Sequence, residues 1–409
     1  MAQTNEGSLG VLYHPLQGEQ LENPYPFYAR ARQEEPIFFS PELDTWVVTR
    51  YQDILSILNQ PHLFSSKDAL RPVVKFSPAV LAELSKGYPL VPNAIDSDGK
   101  EHVRFRSAVS KAFVPKRIKQ LESFIQEVAS SLVDAFIEDH QAEFISQFAY
   151  PLPLEVVLFM IGVPKADMAL AKEMSDSLSM LVNSPLPEEQ QVECARGFVS
   201  FQHYFIRLVN ERRRAPREDV LSDLLETPAG ERPFDEAQLA HLLSSMVVAG
   251  HETVTHLIGN GLALLLEHPE RWQALCRDPQ HIPQVVEEIL RYDAPVHAFF
   301  RTTTREVTVG GITFPQETSL MVVFGSANRD EGQFPQADQF DMLRSPNRHL
   351  AFGHGVHFCA GAFLARREAH MAFETLCQRL PNLRLAPGQR LWHVPILRQR
   401  GLTRLEAVW

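Results

Sequence analysis

The hydrophobic pattern of this chain is mostly helical, with short strand-like runs near its two ends. Across residues 100–291, apolar side chains recur every three or four positions, the spacing that places them on one face of a helix. Residues 30–60 contain two short runs rich in β-branched and aromatic residues. After residue 301 such runs return, and 307–314 resembles a hairpin closed by two adjacent glycines. The pattern predicts an α+β protein that is predominantly α-helical.

The domain organisation follows from length and from the lack of a linker. A chain of 409 residues could hold two or three domains. Its proline-containing stretches are short, however, and lie between apolar, helix-like segments. We therefore predict a single domain over residues 1–409. It has a β-rich part at about 30–60, a helical core at about 100–291, and β elements with a cysteine loop at about 301–409.

The longest helical pattern covers residues 235–267 and is apolar around much of its surface. Such a helix belongs in the middle of a core. It contains too many polar residues for a membrane span, among them His241, Glu252 and Asn260. We predict no membrane association for this helix.

Charge and cysteine content narrow the class of protein. The net charge of −11 disfavours general binding to nucleic acid. The four cysteines are widely spaced, which argues against a zinc site and fits a reducing compartment. The first eight residues have neither a basic start nor an apolar run, so we expect neither a signal peptide nor a membrane anchor. These features predict a cytoplasmic protein.

One cysteine lies in a segment suited to a reactive thiolate, Phe-Gly-His-Gly-Val-His-Phe-Cys-Ala-Gly, which covers residues 352–361. Gly355 and Gly361 allow the main chain to approach a flat ligand closely. Cys359 immediately precedes an amphipathic helical pattern, so the free N–H groups at the helix start would stabilise its anion. The ordinary alternative is a buried structural cysteine.

A second unusual segment interrupts the long helix, with the sequence Ala-Gly-His-Glu-Thr at residues 249–253. Glycine in mid-helix costs about 1 kcal/mol relative to alanine, and an acid beside a threonine suits packing poorly. Such a conflict indicates a functional site. His251 and His256 suggest a metalloprotease pair, but they are five residues apart and cannot share one metal ion as an i, i+4 pair does. The structural alternative is a kinked core helix.

Both segments resemble motifs of the cytochrome P450 family. Phe352, Gly355, Cys359 and Gly361 fill every fixed position of the haem-ligand signature Phe-x-x-Gly-x-x-x-Cys-x-Gly. Residues 249–253 match the oxygen-binding stretch Ala/Gly-Gly-x-Asp/Glu-Thr. The motifs occur in family order, and the resemblance covers essentially the whole chain. It implies the P450 fold, in which a long central helix lies over the haem and the sheets are small.

The resemblance also implies roles for these residues. Cys359 would be the thiolate ligand of the iron of haem b, in the loop formed by Phe352, Gly355 and Gly361. Gly250 would leave room beside the haem for dioxygen, and Ala249 would contact the haem. Thr253 would open the helix by bonding to a backbone carbonyl or a water, and Glu252 would relay protons from solvent.

Two further sets of residues match family positions. The pair Glu288 and Arg291, with Arg344, resembles a buried structural network. Four basic residues match contacts to the haem propionates, which need cationic or hydrogen-bonding partners. These four are His102, Arg106, Arg301 and His357.

The resemblance assigns a mostly apolar substrate pocket. Its segments are 64–93, 178–186 and 396–397, together with parts of the central helix and residues 296–300. His297 is the main polar member, and it would orient an oxygenated substrate or face solvent at the edge. The individual residues assigned to substrate are Met246, Val247, Val296, His297, Phe299 and Ile396.

The implied function is a monooxygenase that inserts one oxygen atom of dioxygen into a small lipophilic substrate, with electrons from NAD(P)H. A ferredoxin and its ferredoxin reductase would supply them to a monomeric enzyme. An acidic ferredoxin would dock on a basic patch on the cysteine side of the haem. Two alternatives remain, a peroxide-driven haem peroxygenase and a non-catalytic haem sensor or electron carrier. The basic patch comprises Arg104, Lys111, Lys116, Arg117, Arg366 and Arg367.

Overall fold

The computed structural model describes residues 8–72, 75–226 and 232–409. Residues 1–7, most of the stretch for which no signal peptide is expected, lie outside these ranges. Residues 73–74, inside the predicted pocket segment 64–93, also lie outside them. All of the individually predicted site residues are described.

Helices make up most of the chain, as the three- and four-residue spacing of apolar positions predicts. Short turns of other helix types join them: 3₁₀ turns at Leu9–Leu12, Ile137–Asp139, Lys165–Asp167, Pro279–His281 and Gly355–His357, and a π-helix at Ile145–Ala149. The α-helices are α1 (Gly18–Glu22), α2 (Tyr25–Glu34), α3 (Tyr51–Leu58), α4 (Pro78–Leu84), α5 (Gly99–Ala112), α6 (Pro115–Asp134), α7 (Pro151–Ile161), α8 (Met168–Asn183), α9 (Glu188–Arg214), α10 (Val220–Leu225), α11 (Glu236–Leu266), α12 (Pro269–Arg277), α13 (Ile282–Tyr292), α14 (Phe324–Ala327) and α15 (Ala362–Arg379).

The strands form three small sheets. The largest has the order β1-β2-β8-β5-β3, and in it only the β2–β8 pair is parallel. Strands β4, β10 and β9 form a second sheet, and β6 and β7 form the predicted two-stranded hairpin. The strands are β1 (Ile37–Ser40), β2 (Thr45–Val48), β3 (Phe64–Ser65), β4 (Gln141–Glu143), β5 (Ala298–Thr303), β6 (Val307–Val309), β7 (Ile312–Phe314), β8 (Ser319–Val323), β9 (Arg384–Leu385) and β10 (Glu406–Val408).

The predicted central helix is α11, which runs through the middle of the main hydrophobic core. It begins at a capping box, in which Asp235 and Gln238 each bond the other's backbone N–H. Its apolar residues are buried on most sides, against α7, α9 and α15 among others. Within the described residues, no helix is both long and apolar enough to cross a bilayer.

A buried ion-pair network fixes the loop between α14 and α15. Both Glu288 carboxylate oxygens accept hydrogen bonds from Arg291 at 2.8 Å, and the two side chains are fully buried. Arg344 donates to the same carboxylate at 3.1 Å, so the predicted three-residue network is present. Arg291 also donates to three backbone oxygens, those of Asn328, Ala337 and Gln339. The network ties α13 to the chain that leads into the cysteine loop.

Candidate active site

An apolar cavity of about 270 Å³ lies between α11 and the loop that precedes α15. α5, α7, β5 and the segment before β5 contribute further walls, and single residues of other elements complete the lining. Most of the residues predicted for the site converge here, although they come from four separate parts of the sequence. The predicted residues that line the cavity are Arg106, Met246, Ala249, Gly250, Thr253, Val296, Phe299, Arg301, Phe352, His357, Cys359 and Gly361.

The cysteine loop is shaped by a close backbone approach at Gly355. This residue has φ +71°, and a Cβ atom there would lie 2.8 Å from the carbonyl oxygen of Leu58. Only glycine fits this position without a shift of the backbone. The loop is closed by a hydrogen bond of 2.9 Å from the N–H of Cys359 to the carbonyl of Phe352. Gly355 does not line the cavity itself, but it sets the path of the chain that carries Cys359.

Cys359 lies just before α15, whose N-cap is Gly361, as the sequence predicts. Its side chain is exposed, and the exposed side faces the cavity. Burial within the protein raises the pKa of the thiol, and the backbone N–H groups of Gly361 and Ala362 oppose this by donating to the sulfur. The positive charges of Arg106 and Arg366 act in the same direction as these donors. Burial is the larger effect, so the pKa of the thiol is raised overall, and a metal cation bound at the sulfur would supply the further stabilisation that a thiolate needs here.

Two positively charged side chains, those of Arg106 and Arg301, line the cavity. Arg301 is 6% exposed, and its guanidinium donates only to the carbonyl of Phe300, at 2.7 Å. Burial lowers the pKa of Arg301 to about 10. Neither Arg301 nor Arg106 forms an ion pair within the described residues. A buried cation such as Arg301 normally has an anionic partner, so this side chain, with the partly buried Arg106, fits a ligand that carries carboxylates.

The two predicted histidines lie together beside this charged edge. The rings of His102 and His357 are 4.1 Å apart, and His357 Nε2 lies 3.0 Å from the hydroxyl of Ser66. Burial, together with the Arg301 charge, lowers the pKa of His357 to about 3, and the pKa of His102 is lowered mainly by burial. Both rings are therefore neutral at pH 7 and suited to donate hydrogen bonds to an anion. The thiolate, cations and histidines together fit haem, with its iron and its two propionates.

The wall opposite Cys359 is formed by the middle of α11. Thr253 donates its hydroxyl to the carbonyl of Ala249 at 2.8 Å, the backbone contact predicted for it. Gly250 lines the cavity, but a Cβ atom there would lie 2.8 Å from Cγ2 of Val157 on α7. The glycine is therefore needed first for the approach of α7 to α11.

The Gly250→Ala variant is expected to destabilise the protein by about 1–3 kcal/mol, the usual cost of overpacking a core. Thermal or urea unfolding would measure the change. The double variant Gly250→Ala/Val157→Ala removes the atom that the new methyl group meets, so it should be more stable than expected from the sum of the two single variants. Additive effects of the two changes would contradict this packing explanation.

Glu252 faces away from the cavity. Its Oε2 accepts a hydrogen bond of 3.1 Å from Nε2 of Gln399. Burial raises the pKa of Glu252 to about 7, with Asp176 as a further raising influence. A carboxyl group that is half ionised near neutral pH can both take up and release a proton. Glu252 and Thr253 thus lie on two sides of α11, the acid outside and the alcohol inside the cavity.

Three of the predicted substrate residues and two of the predicted segments do not line the cavity. His297 is buried among aromatic residues, where its ring lies 5.5 Å from that of Tyr28, so neither a substrate contact nor a solvent-facing edge is correct. Val247 is packed in the main core on another side of α11. Ile396 and segments 178–186 and 396–397 contribute nothing to the described lining. Of segment 64–93, Ala69 and Asn93 reach the cavity.

The structure adds residues to the site that the sequence analysis missed. Gln399 holds Glu252, and Val157 packs against Gly250. Glu368, on α15, lines the cavity with a buried carboxyl group, and burial raises its pKa well above the usual range. None of the three lies in a motif. Glu368 lies on the buried face of the helix pattern after Cys359. An acid at an otherwise apolar position is unusual, so the sequence alone could have indicated this residue as part of a site.

Comparison with known proteins identifies the family. A family model described as Cytochrome P450 matches residues 38–395. Cytochrome P450 107B1 of Saccharopolyspora erythraea is 34% identical over 385 residues, which cover 92% of this chain and 93% of that protein. Cytochrome P450 monooxygenase PikC of Streptomyces venezuelae is 36% identical over 399 residues, which cover 95% and 91% of the two chains.

A solved structure agrees with these relatives. Cytochrome P450 CREJ in complex with (4-ethylphenyl) dihydrogen phosphate superimposes with a TM-score of 0.92 at 31% identity, over 98% of this chain and all of the other. The P450 family binds haem through a cysteine thiolate and uses separate electron donors to oxidise lipophilic compounds. The chain described here belongs to the cytochrome P450 family and is a haem-thiolate monooxygenase.

Proposed function

We propose that this monooxygenase holds haem b in the cavity with Cys359 as the protein ligand of its iron. The observation that carries the assignment is the position of Cys359 at one wall of a cavity that also contains two unpaired arginines. When bound, haem supplies the redox chemistry that activates dioxygen. The protein supplies the thiolate, the protons and a shaped, mostly apolar pocket. The test is the absorption of the reduced carbon monoxide complex, which is argued in the Discussion.

Four side chains are assigned to the two propionates. Arg106 and Arg301 would pair with the carboxylates, and His102 and His357 would donate hydrogen bonds to them. This assignment explains why two cations lie at an apolar cavity with no ion-pair partner in the described chain. Phe352, Gly355, Gly361 and Ala249 would contact the haem or shape the loop and helix on either side of it.

Thr253 and Glu252 are assigned to proton delivery. One oxygen atom of dioxygen enters the substrate and the other leaves as water, which consumes two protons and two electrons. The Thr253 hydroxyl faces the cavity and can hold a water there, whereas Glu252, with a pKa of about 7, can pass protons in from the polar cluster around it. Because Gly250 has no side chain, the backbone of α11 would lie close to the haem at this point.

The substrate is proposed to be a small lipophilic compound. Met246, Val296 and Phe299 line the cavity with apolar atoms, and the polar area of the walls is small. A panel of terpenoids, macrolides, fatty acids and steroids could be screened for a shift in the haem absorption band on binding. A shift with lipophilic members only is expected, whereas a shift with polar compounds only would contradict the proposal.

The electron donor is proposed to be a ferredoxin served by a ferredoxin reductase. The predicted basic patch is smaller than its sequence suggests, because four of its six cations have carboxylate partners. Lys111 and Lys116 have no such partner within the described chain. Beside Cys359, Val356 and Phe363 expose 50% and 58% of their surface, so an apolar contact is available on this side. The four pairs are Arg104–Glu101, Arg117–Asp223, Arg366–Glu287 and Arg367–Glu122.

Reversal of both unpaired charges, Lys111→Glu with Lys116→Glu, is expected to slow reduction of the haem by an acidic ferredoxin. The effect should reach about tenfold at low salt and shrink as ionic strength rises, because exposed charges are screened. Stopped-flow reduction at a series of salt concentrations measures it.

Lys165→Glu is the matched control, since Lys165 is a lysine between α7 and α8 rather than on the segment near Cys359. It should leave reduction unchanged at every salt concentration. Phe363→Ala should instead slow reduction to a similar degree at low and high salt, because an apolar contact is not screened. If the lysine variant behaves like wild type at low salt, this docking face is incorrect.

We also propose that the enzyme is a cytoplasmic monomer. All four cysteines are free thiols, which suits a reducing compartment. Light scattering of the purified holoenzyme tests the monomer, and a particle of twice the mass of one chain would overturn it.

A further inference from the structure

The carboxyl group of Glu252 is held by a residue from the far end of the chain. Gln399 donates its amide to Glu252 Oε2 at 3.1 Å across 147 positions of sequence. The other end of the Gln399 amide, Oε1, is buried and has no hydrogen-bond partner within the described residues. His256 lies one turn further along α11, where burial lowers its pKa to about 4, so it is neutral at pH 7. The bond of Gln399 to the central helix is therefore the one to Glu252.

The backbone around Gln399 leaves this side chain little freedom. Gln399 forms a β-bridge with Val296, a cavity-lining residue. On either side, the N–H of His297 donates to the carbonyl of Arg398 at 2.8 Å, and the N–H of Arg400 donates to Pro295 at 2.9 Å. Because the backbone on both sides of Gln399 is hydrogen-bonded, its side chain can be held in one direction. The cavity wall and the Glu252 partner are thus built on the same pair of segments.

A second set of hydrogen bonds joins the segment of Gln399 to α8. Arg398 donates to the side-chain oxygen of Asn183, and Asn183 donates to the hydroxyl of Ser179 at 3.3 Å. Because Arg398 and Gln399 are adjacent, the segment that carries the Gln399 amide is fixed against α8 as well as against the segment before β5.

Two charges face Glu252, one from the C-terminal segment and one from α8. Arg398, buried and without a carboxylate bonded to it, favours the ionised acid. Asp176 on α8 opposes ionisation and is itself held by the hydroxyl of Tyr150, which precedes α7. Tyr150 also packs against His251 of α11, with ring centroids 5.0 Å apart. The hydrogen-bond donor and the Arg398 charge therefore lower the pKa of Glu252, whereas burial and the Asp176 charge raise it.

We propose that Gln399 is a positioning residue for Glu252, which holds the carboxylate in one direction from a segment that is fixed on both sides by backbone hydrogen bonds. The inference rests on the proposed proton-delivery role of Glu252. In its ionised form the acid accepts the hydrogen bond from Gln399, and in its protonated form it can turn and donate. Gln399 would thus return Glu252 to the same position after each uptake and release of a proton.

The test is an infrared titration of the carboxyl band of Glu252 in the holoenzyme, with the band assigned by its loss in Glu252→Gln. Gln399→Met keeps the length of the side chain but removes the donor, so the midpoint should rise by about one pH unit, the usual worth of a hydrogen bond to a charged group. Asp176→Asn removes a like charge, so the midpoint should fall. Opposite shifts from two neighbours at one acid would not follow from a general loosening of the fold.

Glu173→Gln is the matched control, because it removes an exposed negative charge from α8 that does not act on Glu252 directly. It should leave the midpoint unchanged. Gln399→Asn retains an amide that is too short to reach Glu252, and it should give the upward shift even if the methionine variant fails to fold. Gln399→Met should also lower kcat and the yield of product per NADPH while substrate affinity stays constant, since Gln399 does not line the cavity.

An unshifted midpoint in both Gln399 variants would overturn the positioning role. That outcome is distinguishable from failure of the proposed haem site, which would appear as loss of the thiolate band in the wild-type carbon monoxide complex.

Discussion

The Cys359→His variant is expected to lose completely the red-shifted absorption band of the reduced carbon monoxide complex. That band reports a thiolate opposite carbon monoxide, and no other cysteine lines the described cavity. Imidazole is a neutral ligand that donates less charge, so the band should move to the position typical of histidine ligation. Monooxygenase turnover should fall to the background level. Absorption spectroscopy of the purified variant measures the first effect, and product formation measures the second.

The haem itself can remain bound in this variant, because Arg106 and Arg301 would still hold its propionates. Cys377→Ala is the matched control, since Cys377 lies on the same helix, α15, but is buried in the core. It should keep the thiolate band at full intensity. Persistence of the band in Cys359→His, or its loss in Cys377→Ala, would show that Cys359 is not the ligand.

The helices that carry this site were predictable because their signals are local. The apolar positions of 235–267 surround the helix, and the capping residue Asp235 precedes them, so both the helix and its central position followed from the sequence. The cysteine loop and α15 followed in the same way from glycine, periodicity and order along the chain. The convergence of Arg106 and Arg301 at the cysteine side did not follow from spacing, and only the family resemblance indicated it.

The errors concern residues whose role depends on distant parts of the chain. The resemblance assigned His297 to the substrate pocket as part of segment 296–300, but its buried ring packs against that of Tyr28, which comes from the other end of the chain. Four arginines of the basic patch are paired with carboxylates, and for three of them the carboxylate comes from another element, such as Glu287 for Arg366. Gln399 was missed for the same reason, since nothing near it in sequence indicates a partner on α11.

The Thr253→Ala variant is expected to divert most of its electrons to hydrogen peroxide. It should bind haem and substrate and accept electrons normally, because the hydroxyl contacts only a backbone carbonyl of its own helix. Without that hydroxyl, no side-chain group on this part of the cavity wall would hold the proton-donating water. Product per NADPH should fall about tenfold or more, while consumption of NADPH continues. Parallel assays of NADPH, peroxide and product measure the coupling.

Thr255→Ala provides a matched control for this experiment. Thr255 makes the same kind of hydrogen bond, to the carbonyl of His251 at 2.9 Å, but it is buried and does not line the cavity. It should retain normal coupling. A peroxygenase would not need Thr253, so if Thr253→Ala turned over with unchanged coupling and peroxide alone replaced NADPH in the wild type, the peroxygenase alternative would be favoured.

Glu252→Gln should slow the same proton delivery by a different route. With a pKa of about 7, Glu252 is mostly protonated below pH 7 and mostly ionised above it, so wild-type turnover should decline as pH rises through 7. Glutamine has no proton to release at either pH. The variant should therefore turn over slowly at every pH without this decline, and its solvent isotope effect should be larger. Glu267→Gln, which removes a partly buried acid at the end of the same helix, should keep the wild-type profile. If Glu252→Gln instead kept the decline near pH 7 and the wild-type rate, the acid would be only a structural residue of a kinked helix.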